Sequence, residues 1–152
     1  MVKIKNKKGA INKMSDCLFC KIIAGEIPSI KVYEDEHTFA FMDIAPLTKG
    51  HTLLIPKTHC KDLFEMSEDV ARNLYAAAPK VANAIKAAFN PAGMNTINNN
   101  GAEAGQTVFH YHLHLVPRYD EKDGLVVNWN GRSQEFPPDV LSTLSEEIKS
   151  HL

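Results

Sequence analysis

Three segments of the chain carry apolar residues at helical spacing. Residues 17–24, "CLFCKIIA", form a short apolar segment that Gly25 ends. A long apolar stripe predicts a helix over residues 67–89, and the serine at its start is a good N-cap. Pro79 interrupts this stripe, so we expect the helix to be kinked or split there. A last helix is predicted over residues 139–151, capped by the aspartate at its start.

Five further segments alternate apolar and polar residues or are short apolar runs, and both patterns predict β-strands. They lie near residues 30–33, 38–44, 50–56, 94–99 and 107–117. The long helix comes between the third and the fourth of them. Five strands interrupted by one long helix, with a short helix near each end, indicate an α+β fold around an antiparallel five-stranded sheet.

Composition and charge narrow the class of protein. The chain has 152 residues, of which 44% are hydrophobic and 23% charged, and a formal net charge of −1. These values fit a single globular domain over residues 16–152 and give no basic field for nucleic-acid binding. Residues 1–15 are predicted to be a disordered basic extension, because they hold five lysines and no apolar segment. No apolar run is long enough for a membrane span. The N-terminal residues do not form a secretory signal, so we expect a cytoplasmic protein whose three cysteines are reduced.

Histidines occupy every second position in the last predicted strand, at His110, His112 and His114. Alternate side chains share one face of a strand, so the three imidazoles are expected to face a polar site. The residues expected to face the core instead are Phe109, Tyr111, Leu113 and Leu115. Two chemistries fit: a zinc site that activates water, or a neutral imidazole that attacks an electrophile while its neighbours fix its tautomer.

The segment before the histidines favours the nucleophilic alternative. Residues 98–107, "NNNGAEAGQT", supply neutral amide and hydroxyl donors on a flexible backbone, a set suited to phosphate oxygens. The segment contains one acid, Glu103, whereas a metal-activated water would be expected to have a carboxylate base beside it. The sequence therefore predicts chemistry at a phosphate group.

Cys17 and Cys20 form a Cys-x-x-Cys pair. A redox pair of this kind normally follows a strand, and no strand is predicted before Cys17. Zinc is therefore favoured, and it requires two more ligands from His37, His51, His59 and the three alternating histidines. Two unpaired buried thiols remain the alternative.

These motifs resemble the histidine triad (HIT) superfamily, whose signature is His-x-His-x-His-x-x with apolar x. "HYHLHLV" matches it at every position. "CLFCKIIAGEIPSIKVYEDE" and "AFMDIAPLTKGHTLLIPKTH" are similar to the Hint-type branch, especially its zinc-containing, bacterial-style members. The similarity covers about residues 16–119. It implies the antiparallel five-stranded sheet and a homodimer formed through the long helix and a strand.

The resemblance also implies an activity. Members hydrolyse or transfer nucleotides at the α-phosphorus, and Hint-type members prefer purine nucleoside phosphoramidates, from which they release AMP. His112 would be the nucleophile, His114 would hydrogen-bond the α-phosphate, and His51 would join their hydrogen-bond network. The phosphate and the leaving group would be held by Asn99, Gln106 and Thr107.

Further residues are implied for the nucleoside and the metal. The nucleoside pocket would be formed by Phe19, Ile22, Phe41, Asp43 and Ile44, with Asp43 bonding the ribose. In zinc-containing relatives the ion is held by residues that here are Cys17, Cys20, His59 and His110. The zinc would be structural, and the scheme requires neither Mg²⁺ nor an organic cofactor.

Two other functions remain as alternatives. One is a dinucleoside polyphosphate hydrolase of the sister HIT branch, against which the Cys-x-x-Cys pair counts. The other is a non-enzymatic nucleotide-binding or scaffold protein, against which the intact triad counts. Residues 119–138 do not end the chain as short Hint proteins end, and Pro79 departs from the expected dimer helix.

Overall fold

The computed structural model describes residues 16–152, and the basic extension predicted over residues 1–15 lies outside them. The helices are α1 (Leu18–Ile23), α2 (Glu68–Phe89) and α3 (Pro138–Lys149). The strands are β1 (Lys31–Glu34), β2 (Thr38–Met42), β3 (Thr52–Pro56), β4 (Gly93–Ile97) and β5 (Leu113–Arg118). Short 3₁₀ turns cover Leu63–Glu65 and Ala102–Ala104. The α+β fold that the sequence predicts is confirmed.

The strands form one antiparallel sheet in the order β1-β2-β3-β5-β4. The last strand of the chain therefore lies inside the sheet. On β5, His114 pairs with Leu53 of β3 on one side and with Ile97 of β4 on the other. A residue bonded on both edges has little freedom to move, so the backbone under this histidine is rigidly placed.

The helices α1 and α2 cover opposite faces of the sheet. The core on the α2 side contains Ala40, Leu54, Cys60, Leu74, Val81, Ile85, Tyr111, Leu113 and Leu115. The core on the α1 side contains Phe19, Ile22, Phe39, Phe41, Leu53 and Ile55. Each fully buried large apolar side chain contributes about 1.5–3 kcal/mol. A slip of one residue in any strand would exchange the two faces, so the packing fixes the register.

The strand that carries the histidines is shorter than predicted. It begins at Leu113, whereas the alternation predicted a strand from residue 107. Residues 108–112 leave the sheet because their partners lie in a loop: the backbone N–H of Tyr111 donates to the carbonyl of Cys60 at 2.8 Å. The prediction that Phe109 faces the core is wrong, since its side chain is 44% exposed.

Two helix predictions also need correction. Helix α2 is continuous through Pro79, so of the expected kink or split only the split is wrong; the buried stripe, which includes Leu74 and Val81, packs against the sheet both before and after the proline. Helix α3 begins at Pro138 and ends at Lys149, and Asp139 lies in its first turn instead of capping it. A carboxylate there still favours the helix, because the N-terminal end carries partial positive charge.

Candidate active site and metal centre

The three alternating histidines lie together at the start of β5, although only His114 belongs to the strand. The rings of His112 and His114 are 5.0 Å apart between centroids. On the other side, the ring of His110 lies 5.0 Å from that of His59. The segment thus links two groups of side chains, one around His114 and one around His110.

A backbone carbonyl sets the tautomer of His112. Its Nδ1 lies 2.7 Å from the carbonyl oxygen of His110. A carbonyl oxygen can only accept, so Nδ1 carries the proton and Nε2 holds a free lone pair. The edge of the Phe19 ring packs against the same imidazole, with centroids 5.3 Å apart. The ring of His112 is therefore held in one orientation, with a proton on Nδ1 and a free lone pair on Nε2, as a nucleophile requires.

A second chain of hydrogen bonds sets the tautomer of His114. The backbone N–H of Leu47 donates to Nδ1 of His51 at 3.1 Å, which leaves the His51 proton on Nε2. That Nε2 lies 2.9 Å from Nδ1 of His114, to which it donates. His114 consequently carries its own proton on Nε2 and presents a donor.

Burial keeps this pair neutral. Burial lowers the pKa of His114 to about 4, helped by the nearby His112 and His51 and opposed by the carboxylate of Asp43. Burial also lowers the pKa of His51, and Asp43 again opposes the shift. Both rings are therefore neutral near pH 7. Each ring must be neutral if Leu47 N–H is to donate to His51 Nδ1 and His51 Nε2–H is to donate to His114 Nδ1.

Four ligand atoms converge at the other end of the segment, from Cys17, Cys20, His59 and His110. The sulfurs lie 3.4 to 3.6 Å from the histidine Nδ1 atoms, and those two nitrogens are 3.2 Å apart. Tetrahedral zinc with ordinary bond lengths would place S and N about 3.6 Å apart and two N atoms about 3.3 Å apart. The three S–N distances and the N–N distance match that geometry.

The protonation of these residues also suits a cation. Nε2 of His110 donates to the carbonyl of Pro56 at 2.8 Å, so its Nδ1 lone pair faces the two sulfurs. Burial lowers the pKa of His110 to about 4, which keeps the ring neutral. Burial, followed by the hydrogen bond and charge of Cys17, raises the pKa of Cys20 to about 12. A bound cation would supply the positive charge that thiolates need at this position.

A second set of ligand-type atoms, from Asp43, His51 and His114, has a different chemistry. The carboxylate of Asp43 lies 3.5 Å from His51 Nε2 and 3.9 Å from His114 Nδ1. A metal there would need a lone pair on His51 Nε2. That nitrogen holds the proton, because Leu47 N–H occupies Nδ1. This set is therefore a hydrogen-bonded pair of histidines with a carboxylate beside it, and not a metal site.

The residues expected around a nucleoside differ in burial. Phe19, Ile22 and Phe41 are buried in one cluster beside the histidines. Asp43 directly follows β2, and its Oδ1 accepts the backbone N–H of Ala45 at 2.8 Å. Ile44 is 95% exposed and so stands clear of these side chains.

The side chain of Gln106, in the loop before the histidines, bonds to groups of the protein itself. Gln106 is buried, and its Nε2 donates to the carbonyls of Lys61 and Val108 while its Oε1 accepts the N–H of Gly101. All its polar atoms are thus engaged within the protein. Thr107 is exposed, and Asn99 is partly buried.

Sequence reasoning missed three backbone groups that set the tautomers: the carbonyls of Pro56 and His110 and the N–H of Leu47. No residue type marks such groups, so nothing in the sequence could have identified them. Asn98, expected among the phosphate donors, instead donates to the carbonyl of His112 at 3.0 Å.

Comparison with known proteins decides the family. The model of the HIT domain matches residues 24–121. The chain belongs to the HIT family. Its HIT relatives include "Protein hit" of Bacillus subtilis, 51% identical over 90% of this chain and 94% of that protein. Adenosine 5'-monophosphoramidase hnt1 of Schizosaccharomyces pombe is 40% identical over 90% of this chain and 98% of that protein.

Solved HIT structures share the fold. A HIT family protein from Bacillus anthracis superimposes with a TM-score of 0.88 at 51% identity, over 90% of this chain and 97% of that chain. A zinc-bound histidine triad family protein from Mycobacterium smegmatis gives a TM-score of 0.69 at 34% identity, over 91% of this chain and 99% of that chain. Among residues 16–152 of this HIT protein, none of the helices has the length and apolar content that crossing a membrane requires.

Proposed function

We propose that this HIT protein is a hydrolase that cleaves purine nucleoside phosphoramidates at the α-phosphorus and releases AMP. The observation that carries the proposal is the hydrogen bond from His112 Nδ1 to the His110 carbonyl at 2.7 Å, which leaves Nε2 free to attack. The family supports the substrate class, since relatives about 40% identical are named adenosine 5'-monophosphoramidases.

In the first step the Nε2 lone pair of His112 forms a bond to phosphorus while the P–N bond to the amine breaks. The amine leaves with the bonding electron pair and takes up a proton from solvent. The imidazole becomes positively charged, and its Nδ1–H remains on the carbonyl of His110, which favours that charge. The Nε2–H of His114 donates to a phosphoryl oxygen as charge develops there.

In the second step water attacks the phosphorus and the bond from phosphorus to His112 breaks. The bonding electrons return to Nε2, the water's second proton is released to solvent, and AMP departs. The net reaction consumes one water and yields AMP and the free amine. Two displacements with a good leaving imidazole replace a single difficult one.

Binding is assigned in the same proposal. Asn99 and Thr107 hold phosphate oxygens or the leaving group, and His51 fixes His114 through the bond described above. The buried rings of Phe19 and Phe41 flank the base together with Ile22, and Asp43 bonds the ribose, whereas Ile44 is too exposed to join this cluster. Gln106 contributes by fixing the loop, because its amide is fully used by backbone groups.

We also propose that Cys17, Cys20, His59 and His110 hold a structural zinc ion. The zinc-bound relative and the tetrahedral spacing of the four ligand atoms support this assignment. Zinc there would tie α1 to the segment that carries His112, and the hydrolytic scheme calls for neither Mg²⁺ nor an organic cofactor. The family resemblance further leads us to propose one domain over residues 16–152, a homodimer and a cytoplasmic location.

The test of the activity is AMP release from adenosine 5'-phosphoramidate. His112→Ala should lower the rate at least about 10³-fold, while AMP still binds by calorimetry. His37→Ala is the matched control, because this imidazole is half exposed and far along the chain from the triad. Wild-type protein quenched during turnover in alkaline denaturant, in which a phosphorus–imidazole bond survives, should carry an adenylyl group on His112. Full activity of His112→Ala would refute covalent catalysis.

A further inference from the structure

Two asparagines after β4 connect the carbonyl of the proposed nucleophile to the loop that follows β3. The Nδ2 amide of Asn98 donates to the main-chain carbonyl of His112 at 3.0 Å. The Oδ1 of Asn98 accepts a hydrogen bond from Nδ2 of Asn100. The Oδ1 of Asn100 in turn accepts the backbone N–H of Leu63 at 2.7 Å. The side chains of Asn98 and Asn100, named here the asparagine relay, thus link Leu63 to His112 without a break.

The groups at the two ends of the asparagine relay fix the orientation of both amides. The carbonyl of His112 can only accept, so the nitrogen of Asn98 must face it. The N–H of Leu63 can only donate, so the oxygen of Asn100 must face it. The bond between the amides therefore runs from Asn100 Nδ2 to Asn98 Oδ1. Only an amide can donate at one end and accept at the other in this way.

The asparagine relay acts where the sheet no longer holds the chain. Pairing between β4 and β5 ends at Ile97 and His114. His112 lies just before the first residue of β5, outside the regular pairing. The side-chain amide of Asn98 supplies a hydrogen bond to this peptide carbonyl beyond the end of the paired strands. His112 is 5% exposed, so little water could replace that amide.

The other contacts of His112 hold its ring and leave its backbone free to shift. The carbonyl that accepts from Nδ1 belongs to His110, two residues earlier in the same segment, and so would move together with the ring. Phe19 packs against one edge of the imidazole. Attack on phosphorus requires Nε2 at about 3–3.5 Å from the phosphorus and in line with the leaving group, and a displacement of about 1 Å can cost about 10²-fold in rate. The bond from Asn98 ties the segment to a separate part of the chain.

The far end of the asparagine relay is attached to a well-held turn. Leu63 begins the 3₁₀ turn Leu63–Glu65, and the buried carboxylate of Asp62 caps it. That carboxylate accepts the N–H groups of Phe64 and Glu65 at 3.1 and 3.3 Å. Asn100 accepts the N–H of Leu63, the first donor of the same turn. The relay therefore connects His112 to a turn whose leading N–H groups all have partners.

We infer that Asn98 and Asn100 are positioning residues that set the place of His112 Nε2 for its attack on phosphorus. This inference rests on the proposed function, since that function assigns the nucleophile to His112. Neither asparagine touches the substrate in this assignment. Asn99, which lies between them in the chain, keeps its proposed contact with the substrate, so three consecutive amides have two different roles.

The experiment measures kcat and KM for adenosine 5'-phosphoramidate in Asn98→Ala, Asn100→Ala and the double variant. Asn98→Ala should lower kcat about 10- to 30-fold and change KM less than about threefold, because the loss lies in the placement of the attacking atom. Asn100→Ala should lower kcat only about threefold, since Asn98 keeps its bond to His112. The double variant should be no slower than Asn98→Ala, because Asn100 acts through Asn98.

Asn83→Ala is the matched control, because this asparagine is exposed on α2, and its kcat and KM should equal those of the wild type. NMR spectra follow the asparagine relay without turnover. Hydrogen bonding deshields a carbonyl carbon, so the ¹³C signal of the His112 carbonyl should move upfield in Asn98→Ala. Exchange of the Leu63 amide with solvent should accelerate in Asn100→Ala. If Asn98→Ala does not fold, Asn100→Ala carries the test, since it leaves the bond to His112 in place.

The outcomes separate this inference from the proposed function. If the wild-type protein does not cleave adenosine 5'-phosphoramidate, the proposed function fails. If the wild type is active and Asn98→Ala keeps its kcat, or loses kcat with an unchanged His112 carbonyl signal, the asparagines do not position the nucleophile and the inference is overturned. Losses that multiply in the double variant, or a Leu63 amide that exchanges at the wild-type rate in Asn100→Ala, would overturn it as well.

Discussion

A Cβ atom on Gly124 would lie 2.7 Å from the carbonyl oxygen of Leu47, closer than any side chain tolerates. The turn that brings Gly124 there is held by Asp123, whose carboxylate accepts from Nε of Arg118 at 3.0 Å and from the N–H of Tyr119 at 2.8 Å. Leu47 is also the residue whose N–H sets the tautomer of His51. The segment after β5 therefore supports the active site through one backbone contact.

Gly124→Ala should weaken catalysis without unfolding the protein. The added methyl group must push Leu47 away, and its N–H then loses alignment with His51 Nδ1. We expect kcat to fall roughly tenfold with little change in KM, since the loss lies in the orientation of His114. Ring ¹⁵N spectra should show His51 changing from one tautomer to a mixture.

Gly131→Ala is the matched control for this change. A Cβ at Gly131 would meet nothing within 4 Å, so activity and the ring spectra should match the wild type. Equal loss of activity in both variants would show that the contact between Gly124 and Leu47 does not position His51.

The stability of the protein should fall as the pH decreases from about 6.5 to 4. The folded pKa of His114 is about 4, against an ordinary value of 6.5, so only the unfolded chain binds a proton in this range. His51 acts in the same direction because its pKa is also lowered. The stabilisation that these neutral rings contribute is thus fully present above pH 6.5. It is lost as the pH falls through the folded pKa of His114, which is about 4.

Thermal unfolding between pH 4.5 and 7.5 measures this effect. His114→Asn should make the decrease in Tm with falling pH shallower, whatever it does to Tm at pH 7.5. His37→Ala, at an exposed site, should leave the slope unchanged. A slope that is identical in His114→Asn and in the wild type would mean that this histidine is not held neutral by the fold.

Local pattern predicts most of the fold and part of the site. Alternation correctly separates Leu113 and Leu115, which enter the α2-side core, from His112 and His114. The start of β5 could not be predicted, because it depends on a bond from Tyr111 to the carbonyl of Cys60, 51 residues earlier in the chain. Local alternation contains no information about a partner that distant.

The separate roles of the three histidines can be assigned only from three-dimensional contacts. Side-chain types bring His110, His112 and His114 to one place, but backbone groups decide which nitrogen of each ring carries a proton. Gln106 shows the converse case. Its type suggested a phosphate donor, whereas its burial assigns its amide to the loop.

Removal of one thiol from the metal centre should cost both metal and stability. Cys20→Ser is expected to lower zinc content, measured by elemental analysis, from about one ion per chain to nearly none. Loss of a few kcal/mol of metal binding should lower Tm by on the order of 10 °C in a domain of this size. Chelator should produce a similar decrease in the wild type and little further change in the variant.

Cys60→Ala is the control for the chemistry of the thiol. Cys60 follows His59 in the chain, but its side chain is buried in the α2-side core and not among the four ligand atoms. This variant should keep its zinc while losing a small amount of packing. Normal zinc content in Cys20→Ser would contradict the proposed ligand set.

Pro79→Ala should stabilise the chain, because the proline lies in the interior of α2 without interrupting it. Proline has no N–H, so it cannot donate to the carbonyl of Tyr75 one turn earlier, and an interior proline costs a helix about 3 kcal/mol. Pro79 is exposed, and its replacement removes no buried side chain. The more flexible unfolded chain offsets part of the gain, so we expect the free energy of unfolding in urea to increase by about 1–2 kcal/mol.

Asn83→Ala, also exposed on α2, should gain only about 0.5 kcal/mol from helix propensity. If Pro79→Ala instead lowers stability, and the loss grows with protein concentration, the proline stabilises the chain through contact with a second copy, as a dimer formed through α2 would require.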